Sequence, residues 1–304
     1  MAAALIMVDE TDGRGGAVAR DVEHGPGAFL RSRRERLDPG VLGLPSTGRR
    51  RTPGLRREEV AARAGISVEW YTRLEQGRGG SPSAAVLQAL ARALLLTPAE
   101  HEHLLLLSRG DDPAPSAGPL SPQYARLLAG LPLSPAYVKS AAWDVLAWND
   151  AARAVLTDYP ALAPGERNVL RILFCTPAAR SLLVDWEHEA RLAVATFRLE
   201  LSRWGGEQAR ATVERLRSDC ADFARLWDDR DVGTLGQGTK HLQHPEAGRL
   251  ALWYSSYAVD DAPGLGLVVY TPETDADADR VRRLLDEDHG GPAGSGTGVA
   301  PVPG

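Results

Sequence analysis

The stretch LRREEVAARAGISVEWYTRLEQG, residues 55–77, constrains the fold of this 304-residue chain more than any other. Its apolar residues Val60, Ala61, Ala64, Ile66, Tyr71 and Leu74 fall at helical spacings and are expected to pack inward. Gly65 supplies the positive φ that a tight turn needs, and Ser67 can cap the next helix by accepting from its free N–H groups. Ala61 is small where two helices would cross closely. Two short helices joined by one turn follow from this order of residue types.

The pattern is that of a helix-turn-helix, and its second helix, residues 67–76, turns Val68, Glu69, Trp70, Thr72, Arg73 and Gln76 outward. An arginine pairs bidentately with guanine O6 and N7, a glutamate accepts from cytosine N4, and valine packs on a thymine methyl. A half-site containing G·C pairs is therefore expected. The arrangement G-I-S-x-x-x-Y-x-x-L-E-x-G resembles the lambda-repressor-like, xenobiotic-response-element class of helix-turn-helix regulators. The resemblance implies base-reading roles for Val68, Glu69 and Arg73, and phosphate contacts for Arg57 and Gln76. Ser67 and Arg78, at the two ends of the helix, complete the candidate DNA-binding set. Glu69 serves equally well as a helix-start acid favoured by the macrodipole, and Trp70 reads best as a prop beneath the helix.

Charge supports the same location. The chain as a whole carries a net charge of -5, yet residues 27–80 hold twelve arginines against six acids. A basic block in an acidic chain marks a local polyanion-binding face. Within it Arg49, Arg50 and Arg51 sit in an unusually long connection between the first two helices, where they would lie along phosphate and release counterions. The alternative is a solvated charged loop.

Residues 28–108 read as helical throughout, a five-helix bundle, and the segment DDPAPSAGPLSP that follows breaks the pattern with prolines. The expected organisation is a disordered segment 1–26, a helix-turn-helix domain 27–110, a linker 111–121, an α+β domain 122–288 and a disordered tail 289–304. In the second domain AYVKS, WDVLAWN, GRLALWYSSYAV and LGLVVYT read as strands, as does the segment around His241 and His244. Residues 184–204 and 208–227 read as amphipathic helices, and Asn149 as the cap of a helix 150–156.

The loop GRRRTPGLRREEVA, the helix WYTRLEQGR and the downstream segments WDVLAWND, NVLRILF, DWEHEARLAVATFR, FARLWDDRDV, HPEAGRLALWY and LVVYT together resemble the MmyB-like regulators, from Phe29 to about Leu285. That resemblance implies a PAS-like second domain, an antiparallel sheet flanked by helices, which binds a small lipophilic, fatty-acid-like effector. Candidate ligand contacts are Trp148, Phe174, Phe223, Trp227 and Tyr254, weighed against plain core packing. Lys240 and Arg171 could neutralise a carboxylate head at a pocket mouth, or remain surface charges.

Other functions find little support. No nucleophile elbow, zinc-protease motif, phosphate loop or dinucleotide fingerprint is present, so neither an enzyme nor a cofactor is expected. His241 and His244 would point to opposite faces of a strand, which argues against a metal site. Cys175 and Cys220 fall in apolar helical segments and read as buried reduced thiols. With no apolar run of bilayer length and no secretory signal, the expectation is a soluble cytoplasmic protein. Its partners would be double-stranded operator DNA, bound as a homodimer, and the effector. A second domain that meets another protein instead stays open at this stage.

Overall fold

The structure, a computed structural model, describes residues 25–44, 54–78, 80, 82–109, 120–234, 237–259, 262–289 and 298–299. The chain divides into two compact units, Met1–Gly110 and Asp111–Gly304. Almost all of segment 1–26 and of linker 111–121, and the whole arginine run Arg49, Arg50 and Arg51, lie outside the described residues.

The first unit holds α1 (Pro26–Arg36), a 3₁₀ turn (Pro39–Leu42), α2 (Arg57–Ala64), α3 (Val68–Glu75), α4 (Ala84–Ala93) and α5 (Pro98–Arg109). Pro26 opens α1 at a position where its missing N–H costs nothing. Glu59 reaches back to the Arg56 N–H at 2.7 Å and so starts α2. Gly65 ends that helix in the left-handed region at φ +67°, the conformation its position in the sequence requires. Ser67 Oγ then accepts from Trp70 N at 3.1 Å and starts α3. Val60, Ala61, Ala64, Tyr71 and Leu74 are buried as expected, and Ile66 is half-buried. Helix α1 packs on α3 and α5, while α2 packs on α3 and α4.

The second unit opens with α6 (Pro122–Ala129), β1 (Ala136–Lys139), β2 (Val145–Trp148) and α7 (Asp150–Val155). Five helices, α8 (Val169–Cys175), α9 (Pro177–Leu182), α10 (Trp186–Trp204), α11 (Glu207–Asp219) and α12 (Ala221–Asp228), come next. Strands β3 (Gln237–His244), β4 (Gly248–Ala258) and β5 (Gly266–Pro272), helix α13 (Asp275–His289) and a two-residue β6 (Gly298–Val299) complete it. The sheet order is β3-β4-β5-β1-β2-β6 and every pairing is antiparallel. The expected strands are present, and the fold is α+β.

Asn149 caps α7 as anticipated, and does more. Its Oδ1 accepts from Ala152 N and Ala136 N, and its amide donates to the carbonyls of Leu131 and Ser134, so one buried side chain ties α7 to β1 and to the loop before it. Three cores result. One lies among α8, α10, α11 and α12, centred on Leu170, Phe197, Leu216 and Phe223. Another lies between the sheet and helices α7 and α13, with Val155, Leu250, Leu252 and Val281 fully buried. The smallest joins Leu128 of α6 to Ala136, Val138 and Ala147 of β1 and β2.

Two expectations need correction. The helix read over 208–227 is broken at Cys220, whose backbone is extended (φ −132°, ψ 103°) between α11 and α12. Cys220 is also not a thiol: it forms a disulfide with Cys175 at the end of α8, their Cα atoms 6.4 Å apart. Cys175 is exposed rather than buried. A separation of 45 residues gave no local signal of the pairing, because only the packing of α8 on the α11–α12 corner brings the two together. In the expected disordered tail, Gly298 and Val299 pair with Trp148 and Ala147, and the remainder after His289 lies outside the described residues. Helix α13, which the sequence reading left unassigned, packs on α7, β4 and β5.

Candidate functional sites

In the first unit one short helix presents the candidate DNA contacts. Ser67, Val68, Glu69, Arg73 and Gln76 are exposed, as is Arg78 just beyond α3, and Glu69, Arg73 and Gln76 recur at helical spacing along one face. Thr72 is half-buried and donates to the Val68 carbonyl at 2.8 Å; Trp70 is half-buried too. What holds this helix in place escaped the sequence reading. Glu75, at its last turn, is buried and receives Arg34 of α1 at 2.5 Å through Nε and Arg57 of α2 at 2.7 Å. Arg34 also donates to the Leu55 carbonyl at 3.0 Å. One carboxylate thus clamps the first turn of α2 and the last turn of α3 to α1. Arg57 spends its Nε on this clamp while the side chain stays 41% exposed.

In the second unit a cavity lies between the sheet and helices α8, α9 and α10, with about 910 Å³ of space when its open mouth is included. Strand alternation builds its floor, since residues two apart share a face. Tyr137 and Lys139 of β1, Lys240 and Leu242 of β3, Tyr254 and Ser256 of β4, and Val268 and Tyr270 of β5 all line it. The register sets Tyr254 beside Tyr270, and Val268 between Ser256 and Tyr137. Gly266 stands opposite Lys139, and a Cβ there would come within 3.2 Å of the lysine Cε, so glycine makes room for that side chain. The roof is apolar: Val169, Ile172 and Leu173 from α8, Ala179 and Leu182 from α9, and Ala193 from α10. Asn168 positions α8 by accepting from Leu170 N and Arg171 N while donating to the Ala142 carbonyl and to Asp144.

The charged groups at the wall are paired. Lys139 Nζ lies 2.5 Å from Glu200 Oε2, which also accepts from Trp143 Nε1 at 2.7 Å. Trp143 itself takes a positive φ of 66°, strained for a non-glycine residue, in the turn that aims its ring at the cavity. Burial lowers the Lys139 pKa, and Glu200 offsets this only in part. Lys240 Nζ lies 3.1 Å from Glu189 Oε2. Burial works to lower its pKa as well, yet Tyr270 and Glu189 outweigh that and hold it above the ordinary lysine value.

Of the seven ligand candidates read from sequence, Lys240 and Tyr254 line this cavity. Lys240 is no surface charge, its side chain being only 16% exposed. The others lie off its wall. Phe174, Phe223 and Trp227 pack with each other and with Trp186 in the helical core. Trp148 packs on Tyr159 in the sheet core at 5.1 Å between ring centroids. Arg171 bridges Glu166 and Asp219 at 3.0 and 3.1 Å. The residues that the sequence reading missed are Tyr137, Lys139, Tyr159, Glu189 and Tyr270; the alternation of β1 and β5 was a usable signal for three of them. His244 is buried, its Nδ1 accepting from Glu246 N and Ala247 N, whereas His241 faces solvent. Among the described residues no cluster of His, Cys, Asp or Glu could hold a metal ion, and no helix is long and apolar enough to cross a membrane.

Comparison with known families places both units. Residues 27–104 match a helix-turn-helix domain, and residues 120–285 match the MmyB-like transcription regulator ligand binding domain. No curated protein matches the chain. A helix-turn-helix unit joined to this ligand-binding domain makes a ligand-responsive transcription regulator, and the chain belongs to the MmyB-like family.

Proposed function

We propose that the protein binds pseudo-palindromic operator DNA as a homodimer, through α3, and that a small lipophilic, fatty-acid-like effector held in the second unit changes its grip on DNA. The observation that carries this reading is the cavity: a roof of aliphatic side chains over a sheet face bearing tyrosines, with polar groups gathered at Lys240 and Glu189. Such a wall suits a hydrocarbon body with one polar end. The antiparallel sheet with helices on its cavity side supports the PAS-like reading of this domain. At the DNA, Arg73 and Glu69 would read base edges from the major groove, Val68 would meet a methyl group, and Gln76, Arg78, the outer nitrogens of Arg57 and the loop arginines Arg49, Arg50 and Arg51 would lie on phosphate. An effector shifts this equilibrium only if it binds one state of the protein better than the other. Both units serve regulation on this account, and no enzymatic step is assigned; a regulator of this kind works in the cytoplasm.

Native mass spectrometry of the purified protein, followed by denaturing extraction, tests the effector reading. A discrete small lipophile released on denaturation is the expected result. Protein that is empty in repeated preparations contradicts it and favours a protein-partner role. Trp253 and Tyr257, 45% and 52% exposed on β4, are the described aromatics that would carry such a role.

A further inference from the structure

We propose that the Cys175–Cys220 disulfide is a reversible thiol-exchange site, opened by glutathione and closed again by peroxide, and that its state sets how firmly α8 and α9 roof the cavity. These are the only two cysteines of the chain. Cys175, the last residue of α8, is exposed, whereas Cys220 is buried at the corner between α11 and α12. Attack from solvent therefore falls on Cys175. On the proposed function the chain works beside DNA, among the thiol reductants of the cytoplasm, where a disulfide with one half in reach exchanges with them.

The opening is a two-electron step. A glutathione thiolate attacks Cys175 Sγ, the S–S bond breaks, and its electron pair leaves on Cys220, which takes up a proton. A second glutathione thiolate attacks the glutathione sulfur of the mixed disulfide, and Cys175 leaves as a thiolate that is protonated in turn. Two glutathione thiols are oxidised to one disulfide while the protein disulfide is reduced to two thiols. In the closing direction the Cys175 thiolate attacks a peroxide oxygen, the O–O bond breaks, and hydroxide leaves a sulfenic acid on Cys175. The Cys220 thiolate then displaces the sulfenic oxygen as a second hydroxide. Both hydroxides take up the protons given off by the two thiols and leave as water.

The consequence follows from the place of α8. It has seven residues, too few to hold a helix alone, and it supplies Val169, Ile172 and Leu173 to the roof, to which α9 adds Ala179 and Leu182. Asn168 fixes its first turn. At the other end the disulfide ties it to the α11–α12 corner. The ion pairs beside this tie, Arg171 with Asp219 and Arg180 with Asp222, have carboxylates 48% and 41% exposed and hold weakly. Phe174 against Phe223, 5.3 Å between ring centroids, and Trp186 Nε1, donating to the Leu173 carbonyl at 2.9 Å, still anchor α8 once the bond opens. Opening thus loosens the end of α8 and the α9 that follows, and leaves the rest of the unit folded.

The test follows the unaltered full-length protein, purified with the disulfide closed, by mass after N-ethylmaleimide labelling in denaturant and by amide hydrogen exchange in native buffer. Reduced glutathione in native buffer is expected to open the bond, so that both cysteines take the label once glutathione is removed. Peroxide is expected to close it again and to return label uptake to none. Amides of residues 169–182 should exchange at least about tenfold faster in the reduced protein, with those of β1 and β5 unchanged. A bond that glutathione opens only in denaturant, or that peroxide does not close, overturns the exchange site. Equal exchange in the two states, or a rise spread over the whole unit, overturns its link to the roof. Cys175→Ser is expected to exchange as the reduced protein does and to ignore peroxide; the two states of the unaltered protein decide the matter even if the variant does not fold. None of these readouts needs DNA or an effector, so their failure leaves the proposed function standing, and an empty cavity leaves the thiol chemistry standing.

Discussion

In the first unit Glu69 and Arg73 of the candidate site are exposed on one eight-residue helix, whereas in the second the charged residues point inward from β1, β3 and α10 and pair with one another. On the proposed function, the difference follows from the partners. A polyanion with a hydrated surface is met by exposed arginines, which displace its condensed counterions. A lipophile is met by a dry wall, where any charge has to be matched before the ligand arrives. Each unit also contains the other's device in reverse: the outward-facing α3 is anchored by a buried ion cluster at Glu75, and the inward-facing cavity is braced from outside by a disulfide with one exposed end.

The largest effect is expected where the candidate DNA-reading helix depends on buried charge. Glu75→Ala leaves the buried Arg34 with only Glu35, 3.2 Å from its Nη2, as anion and should cost about 3 kcal/mol of stability in the first unit, read by denaturant unfolding. A loss below about 1 kcal/mol would mean that the clamp is only as strong as a surface pair. Next comes the brace on the second unit. Cys175→Ser should lower its stability by about 2 to 4 kcal/mol, with a matching drop when the unaltered protein is reduced. Insensitivity of the melt to reductant would show that the other contacts of α8 suffice.

Arg73→Ala should weaken binding to a selected operator by about 1 to 3 kcal/mol and relax specificity at one base position. Arg50→Ala, in the loop outside the described residues, should instead weaken all duplexes alike and flatten the salt dependence. Parental binding by both variants would remove the DNA-facing half of the contrast. The smallest effect is at the cap: Ser67→Ala should cost about 1 kcal/mol, seen as a small shift in the unfolding midpoint of the first unit.

The same contrast explains what the sequence disclosed. Gly65, Ser67, Val68, Glu69 and Arg73 are neighbours in the chain, so the residue order alone placed the turn, the cap and the exposed face. Glu75 sits in that stretch too, but its role depends on Arg34, 41 residues away, and nothing local announces it. The cavity is harder still, because its walls come from eight helices and strands and their connections, and only the tertiary fold decides which aromatic faces it. Phe174 and Phe223 sit on amphipathic helices as a ligand contact would, yet they face the helical core. Tyr137, Tyr254 and Tyr270 face the cavity because strand parity and register put them there. The Cys175–Cys220 pair belongs with Glu75, a long-range contact between residues that look unremarkable in isolation.

The central claim is that occupancy of the cavity in the second unit changes how the first unit holds DNA. Fluorescence anisotropy tests it most directly, using a duplex that the full-length protein selects from a random-sequence library. The titration is run with protein delipidated on a hydrophobic resin, and again after reloading with the molecule released on denaturation. The account predicts an affinity change of about fivefold or more, the lower end of typical coupling between two sites. Superimposable titrations, with the cavity shown to be filled in one and empty in the other, would contradict it.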